Sequence, residues 1–204
     1  MGTLERKQRL KEEVRCRILE ASWQIVQEEG WHALSMRKIA DAIEYTAPII
    51  YGYFENKEAI LKELTCQGFR ILSAKVREAR AKHDDPALQL EAMWMAYWDF
   101  AFEHQAYYQL MYGVDVDCCQ LEASIRDAEK TTDLLDESLA KLIAESKNPH
   151  EDPCRRFYTF WAVVHGLISL NIVRKGTLSL DVNRSILKDA LRAIIIDIKG
   201  CKAE

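Results

Sequence analysis

The sequence predicts an all-α chain: an N-terminal three-helix helix-turn-helix domain linked by a long helix to a C-terminal helical bundle. Three observations predict it. Among 204 residues glycine (8) and proline (4) are scarce while 49% are hydrophobic, so the chain is rich in helix formers and has enough apolar surface to bury a core. Apolar residues recur three and four positions apart, the spacing that gathers them on one face of a helix. Between these stretches stand residues that cap or end helices, chiefly Gly after and Ser, Thr, Asn or Asp before.

A first helix is expected to run to about Glu29, because Val14, Ile18, Ala21 and Ile25 lie four, three and four apart and Gly30 is placed to end it. Trp31 to Leu34 form a short linker. Ser35 can cap a second, short helix whose Met36, Ile39, Ala40 and Ile43 make a buried stripe. A third short helix is expected from Thr46, with Pro48 tolerated in its first turn, to Tyr53-Phe54. Asn56 then caps a long fourth helix from Lys57 to about Lys82. Asp84-Asp85-Pro86 reads as a break and restart, since Asp caps and Pro suits the first helical position. Further breaks at 113–117, 148–153 and 176–181 leave helices near 87–111, 120–146, 153–175 and 182–199. No internal repeat and no sustained heptad pattern is present.

Composition excludes several classes. No apolar run, Ala193 to Ile196 included, approaches the roughly 20 residues of a membrane span. With no leader pattern at its start, the chain is expected to be cytoplasmic, without a membrane partner. The cysteines, Cys16, Cys66, Cys118, Cys119, Cys154 and Cys201, have no metal-ligand spacing, so no metal or cofactor is expected. The adjacent pair Cys118-Cys119 leaves a redox or soft-metal sensor open beside ordinary thiols. Net charge is −4, yet residues 1–17 carry Arg6, Lys7, Arg9, Lys11, Arg15 and Arg17 against Glu5, Glu12 and Glu13. That local excess suits phosphates, and equally a solvated helix end.

Two short helices joined by a tight turn, between a basic first helix and a long fourth one, fit a helix-turn-helix whose second short helix enters the DNA major groove. The residues resemble the TetR family of bacterial repressors: Arg17-Ile18-Leu19-Glu20-Ala21, then Gly30, then Leu34 to Ala42 with an S-x-R-x-I-A core, then Ile49 to Leu61 with a Y-x-Y-F-x-N-K-E exit. The resemblance covers roughly the first 60 residues. One departure stands out. Where the family's turn commonly reads A-G-V-S, this chain has Ile43-Glu44-Tyr45-Thr46, so Glu44 must tolerate whatever backbone angle the turn imposes.

The resemblance implies a domain layout of 1–57 for DNA binding, 58–84 as connecting helix and 85–204 for ligand binding and dimerisation. Thr46, Ala47, Pro48 and Ile49 would meet base edges and thymine methyls. Tyr51, Tyr53 and Lys57 would hold phosphates, with Ser35 and Arg37 contacting the backbone from the second helix. The reading helix is poor in Arg and Asn, which limits bidentate base readout. Phe54 is expected in the core.

The stretch Met93 to Phe102, followed by His104, Tyr107, Tyr108, Met111 and Tyr112, is dense in aromatics. Core packing accounts for most of these; the resemblance adds a pocket between helices, with Trp94, Trp98, Phe102, Tyr108, Met111, Trp161 and His165 as lining. Trp161, His165 and Gly166 form a W-x-x-x-H-G run that resembles a subset of the family. The last two helices carry Leu167, Ile168, Ile172, Leu187, Leu191, Ile194, Ile195 and Ile198, more apolar surface than one face needs, and the resemblance assigns them to a dimer interface. A two-fold dimer implies a palindromic operator.

The resulting expectation is a homodimeric repressor of double-stranded operator DNA, released by a small apolar or aromatic effector, with His83 and the Asp84-Asp85-Pro86 joint as hinge positions. A ligandless adaptor or protein-interaction bundle is the alternative. Catalysis is not expected: His104, His165, Asp99, Glu103 and the thiols lie in no nucleophile elbow, phosphate loop or metal pair, so no catalytic residue is assigned.

Overall fold

The computed structural model describes residues 2–113, 130–174 and 178–200. Among the described residues all regular structure is helical. The chain divides into two compact units, Met1–Gly68 with Ala106–Ser124 and Phe69–Gln105 with Ile125–Glu204.

The first unit begins with α1 (Thr3–Glu29), which stops at Gly30, a residue at φ 82°. A single 3-10 turn (Trp31–Ala33) leads to α2 (Met36–Ala42) and α3 (Ala47–Tyr51). Ser35 caps α2 as its sequence position predicts, its Oγ accepting from Lys38 N–H at 3.2 Å. Thr46 occupies the N-cap position of α3, but its side chain makes no cap hydrogen bond. α3 ends at Tyr51, earlier than the expected Tyr53-Phe54, because Gly52 and Tyr53 turn back on the carbonyls of Ile49 and Ile50. α4 (Lys57–Arg80) starts behind Asn56, whose Oδ1 accepts from Ala59 N–H at 2.8 Å. Its residues up to Gly68 belong to this unit. An aliphatic core of Ile18, Ile39, Ile50, Ile60 and Leu64 joins all four helices.

α6 (Gln105–Gly113) also belongs to the first unit from Ala106 onward, and Leu110 is part of that core. Tyr107 stacks on Trp23 with ring centroids 3.7 Å apart. Gly68 makes room for α6, since a Cβ there would stand 2.8 Å from Met111 Sδ and 3.1 Å from Tyr107.

The second unit contains the rest of α4, then α5 (Pro86–Glu103), α7 (Thr131–Ala144), α8 (Pro153–Arg174) and α9 (Leu180–Lys199). α5 packs against all three of the helices that follow it in this unit. Asp85 caps α5 through two backbone N–H groups, those of Ala87 and Leu88, with Pro86 in the first turn. These bonds hold the Asp85 carboxyl below its ordinary pKa.

Two expected helices need correction. The stretch 87–111 is two helices, because His104 leaves helical geometry (φ −124°, ψ 45°) while its N–H still bonds Phe100 at 2.8 Å. The helix expected over 120–146 is not continuous: Lys130 is extended (ψ 147°) and α7 begins after it. Cys118, Cys119 and Cys201 lie outside the described residues.

Candidate nucleic-acid interface

The helix pair α2–α3 is positioned by its buried side. Ile39 and Ile50 are fully buried, one on each helix, so the opposite faces point to solvent. The turn between them closes with Tyr45 N–H on Ala40 O at 2.9 Å and Glu44 N–H on Asp41 O at 3.3 Å. Glu44 sits at φ 60°, the left-handed conformation that glycine adopts freely, at a cost of about 1 kcal/mol for a side chain with a Cβ. Arg17 braces the turn: its guanidinium lies 5.4 Å from the Tyr45 ring centre and donates to Ile43 O at 3.4 Å.

Of the residues assigned to DNA, Thr46, Pro48, Ile49 and Tyr51 are exposed along α3 and its start, and Ile49 and Tyr51 keep 43% and 56% of their surface in solvent. An apolar side chain and a ring that far into water on a helix whose neighbour Ile50 is fully buried form a surface suited to bases and sugar-phosphate. Ser35 and Arg37 are exposed at the start of α2. Ala47, Tyr53 and Lys57 are half-buried, with Ala47 and Tyr53 packed on the core. Phe54 is buried, with the Arg15 guanidinium 5.2 Å above its ring.

Beside the turn lies a groove of about 520 Å³ lined by Lys7, Leu10, Lys11, Glu13, Val14, Arg17, Tyr45 and Tyr53. The charge excess near the N-terminus was visible in the sequence; that it shares a groove with the two tyrosines was not, because the pairing depends on the angle at which α1 crosses α2–α3.

The aromatic residues assigned to a ligand separate between the two units. Tyr108 and Met111 are buried in the first. Trp94, Trp98, Phe102, Trp161 and His165 are in the second, where Trp94 stacks on Phe160 at 5.9 Å, Trp98 meets Phe102 at 4.6 Å and Trp161 stacks on His165 at 4.6 Å. Trp94 is 1% exposed, and its Nε1–H has no hydrogen-bond partner among the described residues. Half-burial pushes the His165 imidazole below its ordinary pKa by desolvation.

Five of the eight residues assigned to a dimer face need correction. Ile168, Leu187, Leu191, Ile195 and Ile198 are buried within the protomer, where they join α8 and α9 to the rest of the unit, and Leu167, Ile172 and Ile194 are half-buried. The exposed large apolar side chains of the same helices are Tyr158 and Leu170 on α8 and Leu180, Val182, Ile186 and Ile196 on α9. On α8 the exposed line runs Tyr158, Ala162, Gly166, Leu170, one residue every four, and a Cβ on Gly166 would meet nothing within 4 Å.

Comparison with known proteins identifies the family. Residues 18–64 match the model of bacterial regulatory proteins of the tetR family, and residues 90–193, just over half the chain, match the tetracyclin repressor-like C-terminal domain. The chain belongs to the TetR family. It is therefore a DNA-binding transcription regulator rather than an enzyme. The HTH-type transcriptional activator FasR of Mycolicibacterium smegmatis is 27% identical over 105 residues, 52% of this chain and 48% of that protein, so the chain spans about half the length of this curated relative. Among solved structures, the fatty acid degradation regulator FadR of Bacillus halodurans superposes with a TM-score of 0.66 at 18% identity, covering 89% of this chain and 94% of FadR. A TetR/AcrR-family regulator of Thermobifida fusca gives 0.63 at 19% identity, covering 90% and 97%. These likenesses speak for the TetR-type all-α fold. No helix among the described residues is long and apolar enough to cross a membrane.

Proposed function

We propose that this TetR-family regulator is a homodimeric repressor that grips a palindromic operator through α3 and lets go when an apolar ligand enters its second unit. The observation that carries the reading is the solvent-facing row Thr46, Pro48, Ile49 and Tyr51 on a helix anchored by the fully buried Ile50. Thr46, Ala47, Pro48 and Ile49 meet base edges; Tyr51, Tyr53, Lys57, Ser35 and Arg37 hold phosphates. Dimerisation uses the exposed apolar line of α8 with Val182, Ile186 and Ile196 of α9, which leaves the buried residues of the same helices in their core role.

The effector is proposed to be an apolar molecule carrying one hydrogen-bond acceptor. A buried N–H without an acceptor costs about 1–3 kcal/mol, and a ligand that satisfies Trp94 Nε1 recovers it. The likeness to FadR, a regulator of fatty acid degradation, supports an acyl-chain compound as a member of this class. Because α4 contributes residues to both units, a ligand-induced shift of that helix is the proposed route to the reading heads. The likeness to FasR, a transcriptional activator, favours a second reading, activation from the same DNA site. In vitro transcription from the bound promoter separates the two by its sign.

The test is anisotropy with DNA from upstream of the chain's own gene, comparing wild type with Tyr51→Ala/Lys57→Ala. Tight, salt-sensitive binding is expected for wild type, with a loss of about tenfold or more in the variant. Binding no tighter than to random duplex, together with failure to enrich any sequence from a genomic library, sinks the DNA reading. Sedimentation as a monomer at micromolar concentration sinks the dimer.

A further inference from the structure

The N-terminal part of α1 does something the rest of the reading head does not explain. Residues 3–17, about four helical turns, precede the segment that matches the family model at 18–64. Such an overhang is almost wholly exposed, with only Val14 and Arg15 half-buried, so burial does not account for its composition. Its charges are sorted by face. On one side, Arg9 pairs with Glu13 at 3.3 Å, and Arg15 pairs with Glu12 at 3.7 Å and with Glu63 at 3.0 Å. On the other, Lys7, Leu10, Lys11, Val14 and Arg17, with Glu13 at the edge, share one face of α1 and line the groove completed by Tyr45 and Tyr53.

That groove holds three cations and one carboxylate, and the carboxylate, Glu13, is already engaged by Arg9. Lys7 and Lys11 have no carboxylate partner among the described residues. The remaining lining is Leu10 and Val14, apolar surface that fits against sugar rings, and two tyrosines. The groove's two tyrosines flank the reading helix in the chain: Tyr45 lies in the α2–α3 turn, one residue before Thr46, and Tyr53 lies two residues after Tyr51.

From these observations we infer that the α1 overhang and the α2–α3 turn form a second DNA-backbone clamp, in which Lys7, Lys11 and Arg17 hold phosphates beside those held by Tyr51 and Lys57. The inference rests on the DNA reading proposed above and extends it to a separate set of residues. Its content is positional. Phosphate contacts set register and salt dependence but carry no base information, so the clamp lengthens the protected backbone without altering the preferred sequence. Arg17 has a double duty, because it also braces the turn at Ile43 and Tyr45; the two lysines are therefore the residues to change.

The experiment uses the full chain and a duplex enriched from a random-sequence library by the wild-type protein. Binding is measured from about 50 to about 300 mM salt for wild type, Lys7→Ala/Lys11→Ala and Lys7→Arg/Lys11→Arg, with hydroxyl-radical footprints of each. Four lost phosphate contacts, two on each protomer of the proposed dimer, are expected to flatten the plot of log K against log salt by about 3.6, with a loss of affinity of about tenfold or more, and to shorten the footprint in the alanine variant. The arginine variant keeps the wild-type slope, and both variants enrich the same sequence. Wild-type slope and footprint in the alanine variant overturn the clamp while leaving the DNA reading intact. A wild-type chain that enriches no sequence overturns both.

Discussion

The two units satisfy their buried polar groups in opposite ways. In the first, Ser22 Oγ donates to Ile18 O at 2.6 Å and Thr65 Oγ1 donates to Leu61 O at 2.8 Å, each within its own helix. In the second, the bonds run between side chains of different helices: Ser73 with Thr131 at 3.0 Å, Ser138 to Gln89 at 2.8 Å and Asn183 to Asn171 at 2.9 Å. The cores differ likewise. Ile, Leu, Val and Ala dominate the first, while Trp94, Trp98, Phe100 and Phe160 occupy the second. A unit whose buried groups look after themselves can present its exposed side chains to a partner without internal rearrangement. A unit whose helices are joined by directional bonds and large flat rings has a small number of discrete packings, which is what a ligand-controlled state requires.

The sharpest way to break this contrast is to remove volume. Phe160→Ala is expected to cost about 3–5 kcal/mol and Ile50→Ala about 2–5 kcal/mol by chemical denaturation. Ligand binding, followed by Trp fluorescence, should change for the folded Phe160 variant and not for Ile50→Ala. Equal ligand responses would dissolve the distinction between the two cores.

A smaller effect tests the polar groups directly. Asn183→Ala takes away the donor to Asn171 Oδ1 and to the carbonyls of Leu178 and Ser179, and should cost about 1–3 kcal/mol. Ser22→Ala removes a bond that the helix backbone duplicates and should cost less than about 1 kcal/mol. Comparable losses in urea melts would mean that the inter-helix bonds have no special weight.

The smallest effect concerns protons. The folded His165 binds its proton more weakly than an ordinary histidine, whose pKa is 6.5, so the unfolded chain takes up protons first as pH falls. Its contribution is therefore complete above about pH 6.5 and declines as pH drops through 6.5 toward the lower folded value. His165→Gln should flatten the slope of stability against pH in that window. An unchanged slope would assign the titration elsewhere.

Much of the architecture was readable because single residues announce it. Ser35, Asn56 and the Asp85-Pro86 pair sit at helix starts in the sequence and in the structure, where each cap is an observed hydrogen bond. The break at His104 falls in the polar stretch Glu103-His104-Gln105, which has no Gly or Pro to signal it, and it is a turn in backbone geometry that periodicity does not register. The same limit explains α8 and α9. Ile168 and Leu170 are equally apolar, yet one is fully buried and the other half in water, and only the packing of α5 and α7 against these helices distinguishes them. On α3, Ile50 is buried while its neighbours Ile49 and Tyr51 are exposed. Ala47 is less exposed than its assigned contact suggests, because α3 is only five residues long and its start packs on the core, and Lys57, at the start of α4, is half-buried as well.

The length of α1 has a dynamic consequence. Its first ten residues are all in solvent wherever their side chains are described, so little more than backbone hydrogen bonding and an i,i+4 charge pair holds them helical. A segment of that length is marginal as a helix on its own. The beginning of the chain should therefore breathe, its amide protons exchanging orders of magnitude faster than those around Ile18, and any polyanion laid along it would act as a splint that slows this exchange from Lys7 outward.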